Sequence, residues 1–184
     1  MILDEQYLRE ISLFTALLTG LLSAGLLLTP AKLSSLLFAF PRNRVAGIAL
    51  TALSLLWSAY LINQMTLGEL SKYKDLLFVL TPATFFLIIY FIDELLAARA
   101  FGGLLMLYPT LMVDIARWHP SPWRLVVVSV AYLMVVAGMW IVLSPYKFRL
   151  WTHAMLCSRT RQKLAGSFYA LLTGLLLATA YMAG

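Results

Sequence analysis

Residues 125–143 read LVVVSVAYLMVVAGMWIVL, a run without a charged side chain. A helix that crosses a bilayer needs about 20 mostly apolar residues, and it hydrogen-bonds all of its backbone groups internally. This run therefore predicts a membrane-spanning helix. Together with five further segments, it predicts an all-α, polytopic transmembrane helical bundle in which 1–184 forms a single membrane domain. The predicted spans are 11–29, 45–65, 76–92, 100–116, 125–143 and 165–182.

The composition of the whole chain agrees with this prediction. Apolar residues make up 62% of the 184 positions and charged residues 12%, whereas soluble domains contain about 45–50% and about 25% of these classes. The single cysteine, Cys157, excludes an intrachain disulfide and a CxxC motif. His119 and His153 are the two histidines and are predicted on opposite sides of the membrane, so they could not share one haem. We predict no cofactor and no metal site.

Basic residues in two connections between spans predict the topology. The first connection contains three of them and the second five: Lys32, Arg42, Arg44, Lys147, Arg149, Arg159, Arg161 and Lys163. Loops rich in lysine and arginine stay in the cytoplasm, so an even number of spans has to separate these two. The segments 76–92 and 100–116 are therefore both predicted to cross, with both termini extracytoplasmic. The eight side chains are predicted to contact anionic lipid headgroups, and the short loops favour a bacterial inner membrane.

The two basic connections resemble each other. One begins Thr29-Pro30-Ala31-Lys32 and the other Ser144-Pro145-Tyr146-Lys147. In each, a hydroxyl residue suited to capping precedes a proline at the first helical position, and apolar residues then recur along one helix face. We interpret the chain as two parallel repeats, 11–65 and 125–182, each with an interfacial amphipathic helix, around a central hairpin.

A second similarity has no place in this repeat. The string ALLTGLL occurs at 16–22 and again at 170–176, in spans that run in opposite directions under the predicted topology. Segments rich in leucine and alanine align easily by chance, and we interpret this identity as a coincidence.

Ionisable residues form two groups at the ends of the central hairpin. Such groups are costly at membrane depth and are often functional when they lie there. The candidate polar sites are Asp93, Glu94 and Arg99 at one end, and Asp114, Arg117 and His119 at the other. Asp114 and Arg117 are close enough in sequence to pair on one helix face. The favoured interpretation is that both groups end helices in the headgroup layer.

Three functional hypotheses remain open, since the sequence has no catalytic signature and no phosphate-binding glycine loop. The leading one is a non-catalytic integral membrane subunit that anchors or helps assemble a larger complex, with other membrane subunits or a homo-oligomer as partners and no nucleic acid. The alternative is a small transporter or channel component for protons, ions or a small anion. The third is a membrane-embedded enzyme acting on lipid or quinone, in which Asp114, Arg117 and His119 would face one cavity.

Overall fold

The computed structural model describes the backbone of residues 2–28, 30–64, 74, 76–91 and 95–182, and their side chains apart from those of 2–6, 30–34, 42 and 77. Nearly all of this backbone is helical, which confirms the all-α prediction. The helices are α1 (Ile2–Leu28), α2 (Pro30–Ala39), α3 (Arg44–Gln64), α4 (Leu76–Phe91), α5 (Leu96–Arg117), α6 (Arg124–Leu143), α7 (Pro145–Leu156) and α8 (Arg159–Met182). A 3-10 turn, Phe40–Arg42, lies between α2 and α3.

Five of these helices are long and apolar enough to cross a membrane: α1, α3, α5, α6 and α8. The chain is therefore an integral membrane protein. The remaining predicted span, 76–92, corresponds to α4. Its 16 described residues extend about 24 Å, which is less than the hydrocarbon core of about 30 Å. The total of six spans stays a prediction.

The position of α5 requires the chain to return along the bundle after α3. Gly47, near the start of α3, packs against the Leu96 side chain and the Ala97 backbone nitrogen at the start of α5, so both helices begin at the same end. At the far end of α3, the Lys74 ammonium donates a 2.6 Å hydrogen bond to the Asn63 carbonyl oxygen. Since α4 begins there, it runs antiparallel to α3 and carries the chain back.

A close backbone contact joins α5 and α6, which are antiparallel. A Cβ added at Gly102 would lie 2.9 Å from the Gly138 carbonyl oxygen, and one added at Gly138 would lie 2.7 Å from the Gly102 oxygen. Small residues at a crossing bring two backbones into van der Waals contact, which is what drives helix association in lipid. Helix α3 packs on α5 as well, and it does so beside this pair.

A second antiparallel pair, α1 and α8, packs along the two copies of ALLTGLL. The Thr173 hydroxyl donates a 2.9 Å hydrogen bond to the Thr19 hydroxyl, and a Cβ added at Gly20 would lie 3.3 Å from the Thr173 methyl group. Farther along, the Ser23 hydroxyl donates to the Gly166 carbonyl oxygen over 2.9 Å. The repeated string ALLTGLL, which we interpreted as a coincidence, therefore lies along the contact between α1 and α8, a packing seam.

The two helix pairs meet in one buried core. Its members are Leu8, Ile11, Ala16, Met112, Ala116, Val127, Val130, Ala131 and Leu176. A hydrogen-bond chain beside the core also joins the pairs, because the Thr15 hydroxyl donates to the Ile11 carbonyl oxygen over 2.7 Å. Thr15 then accepts a 2.7 Å bond from the Tyr108 hydroxyl, which ties α1 to α5.

The internal repeat and the interfacial position of its two short helices stay predictions. As the sequence predicts, α2 and α7 begin at Pro30 and Pro145, and they contact each other. The Ser144 side chain makes no capping hydrogen bond, and Thr29 lies outside the described residues. The packing is unequal in the two units, since α1 packs on α8 while α3 and α6 both pack on α5.

Adjacent glycines of α5 give a matched test of the α5–α6 contact. A Cβ at Gly102 would lie 2.8 Å from a Val142 methyl group, whereas nothing lies within 4 Å of a Cβ at Gly103. We expect Gly102→Ala to destabilise the protein by about 1–3 kcal/mol through overpacking. Gly103→Ala should leave stability unchanged or raise it slightly, since alanine is the better helix former. Thermal unfolding in detergent measures both, and equal melting temperatures would contradict the close approach.

Candidate functional site

Basic side chains gather where α3, α5 and α8 begin, which we call the basic end of the bundle. The described residues that were predicted to contact headgroups all have exposed side chains there: Arg44, Lys147, Arg149, Arg159, Arg161 and Lys163. Lys32 lies in α2 and Arg42 in the 3-10 turn, but their side chains are outside the described part. The headgroup contacts themselves stay a prediction.

Several of these cations occupy positions that do not favour the helix. Arg44 opens α3, while Arg159 and Arg161 lie in the first turn of α8, and neither first turn contains an acidic residue. A cation near a helix N-terminus opposes the helix dipole at a cost of about 0.3–1 kcal/mol. Local helix stability therefore does not explain their placement, whereas nearby lipid anions would offset this cost.

A small cleft forms at the basic end where α2 meets α7. It has a volume of about 330 Å³, and Arg149, Thr152 and His153 line its α7 wall. The His153 ring lies 5.3 Å from the Phe38 ring, and its Nδ1 atom lies 3.3 Å from Cys157 Sγ. A thiol beside an imidazole has the first two parts of a nucleophilic site. Among the described residues, no carboxylate or amide orients His153 as the third part.

The hairpin group at the basic end is only partly described. Arg99 lies in the first turn of α5 and has an exposed side chain. Asp93 and Glu94 lie outside the described residues, so their proposed role at this turn stays a prediction.

The three candidate residues at the other end of the hairpin do not point toward one common site. Asp114 and Arg117 have exposed side chains, whereas His119 is 1% exposed. Asp114 and Arg117 lie on the outside of α5. His119 follows the last residue of α5, and its imidazole turns inward. The cavity that the enzyme hypothesis needs is therefore not formed by these three side chains.

The His119 imidazole is a buried anchor of the turn between α5 and α6. Its Nδ1 atom accepts a 3.1 Å hydrogen bond from the Ser121 backbone N–H, so its proton resides on Nε2. Nε2 is buried without a hydrogen-bond partner, which is an uncommon and costly state for a donor. The Arg124 guanidinium closes the same turn by donating to the carbonyl oxygens of His119 at 3.0 Å and Arg117 at 3.3 Å.

Besides the His119 imidazole and the Gln162 amide, the buried polar side chains of the described interior are hydroxyl groups. Ser12, Thr15, Ser23 and Thr179 are buried, and Thr179 donates to a carbonyl oxygen one turn earlier in its own helix, as Thr15 does. Our sequence reasoning missed this set; the signal for it was the spacing of Ser and Thr along α1. In the part of the chain that the structure describes, no three His, Cys, Asp or Glu side chains could hold a metal ion.

Comparisons of the chain with protein-family models, with curated proteins and with solved structures found no match.

The stability of a His119 variant tests whether this residue has a structural role. We expect His119→Ala to destabilise the protein by about 1–3 kcal/mol, because it removes a buried side chain and the acceptor of the Ser121 N–H. Trp118→Ala is the control. The Trp118 side chain is next to His119 in the sequence but is 77% exposed, so its loss should change stability little. Thermal unfolding of both variants measures the effect. An unchanged melting temperature for His119→Ala would contradict the structural role.

Proposed function

We propose that this chain is a non-catalytic integral membrane subunit that anchors or helps assemble a larger membrane protein complex. The observation that carries the proposal is the position of α4. Among the described elements, α3 is the one against which α4 packs appreciably, and most of its remaining surface is apolar and exposed. A transmembrane helix of a partner subunit is the occupant that fits this surface.

The exposed surface of α4 has the pattern of a helix-packing face. Val79, Ala83, Phe86 and Tyr90 follow one another at spacings of four, three and four residues, which places them on one stripe. Val79 and Phe86 are each 69% exposed and Tyr90 is 80% exposed. We call these four residues the α4 stripe. Its alanine lies between larger side chains, and a small residue in such a position lets a second helix approach closely.

A concave surface beside the stripe adds to this argument. Ala83, Phe86 and Tyr90 line an open cavity of about 640 Å³ together with Arg44 at the start of α3. In lipid, apolar side chains gain nothing by leaving acyl chains for another helix, so association depends on shape. A notch with an aromatic wall and a small residue at its centre offers such a shape to a partner helix.

The other hypotheses receive less support from the described residues. The transporter hypothesis needs charged groups in a polar cavity near the membrane midplane, whereas no Asp, Glu, Lys or Arg side chain is buried among the described residues. Asp114, one of its gating residues, has an exposed side chain near the end of α5. The enzyme hypothesis needs Asp114, Arg117 and His119 in one cavity, and their burial differs too strongly for that.

We also propose that the basic end faces the cytoplasm of a bacterial inner membrane and that the chain has six spans with both termini extracytoplasmic. The antiparallel course of α4 and the shared starting end of α3 and α5 support six crossings. The cations of the basic end support the orientation through the positive-inside rule.

Co-purification tests the proposed function. We expect extraction from the native membrane in mild detergent to recover a stoichiometric set of larger subunits, identified by mass spectrometry. Ala83→Leu should reduce this recovery about tenfold, because filling the centre of the stripe prevents close helix contact and a loss of 1.4 kcal/mol is tenfold in affinity. Ala137→Leu on the exposed side of α6 is the matched control and should retain the partners.

Recovery of the chain alone, or only as a homo-oligomer, would contradict the proposal. Equal recovery of partners with Ala83→Leu and Ala137→Leu would show that the complex forms elsewhere than at the α4 stripe.

The orientation has a natural probe, because Cys157 is the only cysteine, is exposed and lies at the basic end. We expect a membrane-impermeant maleimide to label it in inside-out vesicles and not in intact cells. Cys157→Ser removes the signal, and adding Trp118→Cys to that background should restore labelling from the opposite side. Labelling of Cys157 in intact cells would contradict the proposed orientation.

A further inference from the structure

The cleft between α2 and α7 has two chemically different walls. Leu37, Phe38 and Pro41 form the wall on the side of α2 and the 3-10 turn that follows it, and all three are apolar. Arg149 and His153 supply the charged and aromatic nitrogen groups of the α7 wall. The cleft therefore places a guanidinium and an imidazole opposite a hydrocarbon surface at the basic end of the bundle.

The guanidinium and the imidazole are placed to act on one ligand. Arg149 and His153 are four residues apart, which puts them on the same face of α7 and about 6 Å apart along its axis. Both side chains line the cleft and both are exposed. An arginine presents five N–H donors in a planar fork, and a neutral imidazole adds one more. Together they offer several donors to a group that has several acceptor oxygens.

No carboxylate competes for these donors in the described walls of the cleft. Neither α2 nor α7 contains an acidic residue. The acidic residues with described side chains, Glu10 and Asp114, lie toward the opposite end of the bundle. Among the described residues, the Arg149 guanidinium therefore has no carboxylate partner, and an anion that enters the cleft meets a positive charge that no such group neutralises.

Two contacts hold the His153 imidazole in the α7 wall. Its ring lies 5.3 Å from the Phe38 ring, which links α7 to α2 across the cleft. Its Nδ1 atom lies 3.3 Å from Cys157 Sγ, one turn farther along α7. A side chain that is already held in place loses less conformational freedom when a ligand binds. The Thr152 hydroxyl donates to the Phe148 carbonyl oxygen of its own helix, so its proton is not available to a ligand.

We propose that this cleft is a binding site for one phosphate group, held by the Arg149 guanidinium and the His153 imidazole. A guanidinium can bind two phosphate oxygens at once, and such charge-assisted contacts are stronger than hydrogen bonds between neutral groups. A phospholipid headgroup and a soluble phosphate share this chemistry, and the apolar wall at Phe38 adds contact for the hydrocarbon part of a lipid. The site holds one ligand per chain, unlike the diffuse headgroup contacts predicted for the basic end, and it does not depend on the proposed partner complex.

Cys157 reports on the occupancy of this site, because it is exposed and its Sγ atom lies beside the imidazole that holds the phosphate. The full-length protein is freed of native lipid in maltoside detergent, which contains no phosphate. Mass spectrometry then follows the alkylation of Cys157 by N-ethylmaleimide. We expect phosphatidylglycerol added to the micelles to slow this reaction in a saturable manner. Diacylglycerol, which has the same hydrocarbon chains and no phosphate, should leave the rate unchanged.

Inorganic phosphate, added without lipid, distinguishes the two sources of the ligand. Protection of Cys157 by phosphatidylglycerol but not by inorganic phosphate supports the site with a lipid headgroup as its ligand. Protection by inorganic phosphate supports the site with a soluble phosphate as its ligand. Protection by neither probe overturns the proposal.

Two arginine variants separate this site from a general attraction of anions. Arg149→Gln should raise the probe concentration for half-maximal protection about tenfold, because a bidentate charge-assisted contact is lost. Arg159→Gln removes the same charge two residues from Cys157 but outside the cleft, so it should change this concentration much less. Both side chains are exposed, and melting temperatures equal to that of the unaltered protein would verify that both variants fold.

The comparison of the variants can also contradict the site. The proposal is overturned if diacylglycerol protects Cys157 as well as phosphatidylglycerol does. It is also overturned if Arg159→Gln weakens the protection as much as Arg149→Gln, since the positive charge of the whole basic end would then be responsible.

Discussion

Two helix backbones lie almost in contact at Gly102 and Gly138, and the rest of the bundle is built outward from such seams. In lipid, leucine-rich helices gain little by exchanging acyl chains for each other, so association depends on close approach and on hydrogen bonds between helices. The α5–α6 pair uses glycine for this purpose, and the α1–α8 pair uses Thr19 and Thr173. Helix α3 then rests on α5, and α4 rests on α3, with progressively less contact at each step.

Among the described helices, this order of attachment leaves two surfaces open. Since α5 carries α1 on one side and α3 on another, the two outer helices diverge and leave a groove with an apolar floor. Since α4 has one appreciable partner among the described helices, its stripe from Val79 to Tyr90 faces outward. The groove is lined almost wholly by apolar side chains, while the α4 stripe has a small residue at its centre.

The polar residues follow the cost of burying them. Most buried hydroxyls donate to a carbonyl oxygen, as Thr15 and Thr179 do within their own helices and Ser23 does across to α8. The described charges lie near helix ends, where headgroups and water solvate them. His119 departs from this pattern, since its Nε2 proton is buried without an acceptor. The turn tolerates this because the opposite ring nitrogen and the Arg124 guanidinium secure the backbone on both sides. The imidazole therefore holds the loop through its Nδ1 atom, which accepts the Ser121 backbone N–H.

The sequence by itself determined the class of the protein and the position of every described helix, because backbone hydrogen bonding in an apolar medium requires long apolar segments to be helical. The sequence predicted the helix ends less well. Helices α1, α5 and α8 begin at Ile2, Leu96 and Arg159, several residues before the predicted spans, because helical hydrogen bonds continue past the apolar region. The candidate residues Asp114, Arg117 and His119 could be found as polar groups near a helix end, but their different burial could not. Only the tertiary structure decided which helices pair, and it made the two ALLTGLL strings a seam. The physical reason is that apolar side chains at helical spacing pack equally well against any neighbouring helix. The few small and hydroxyl residues favour one neighbour, but only when the two helices are aligned along their axes so that these residues contact each other.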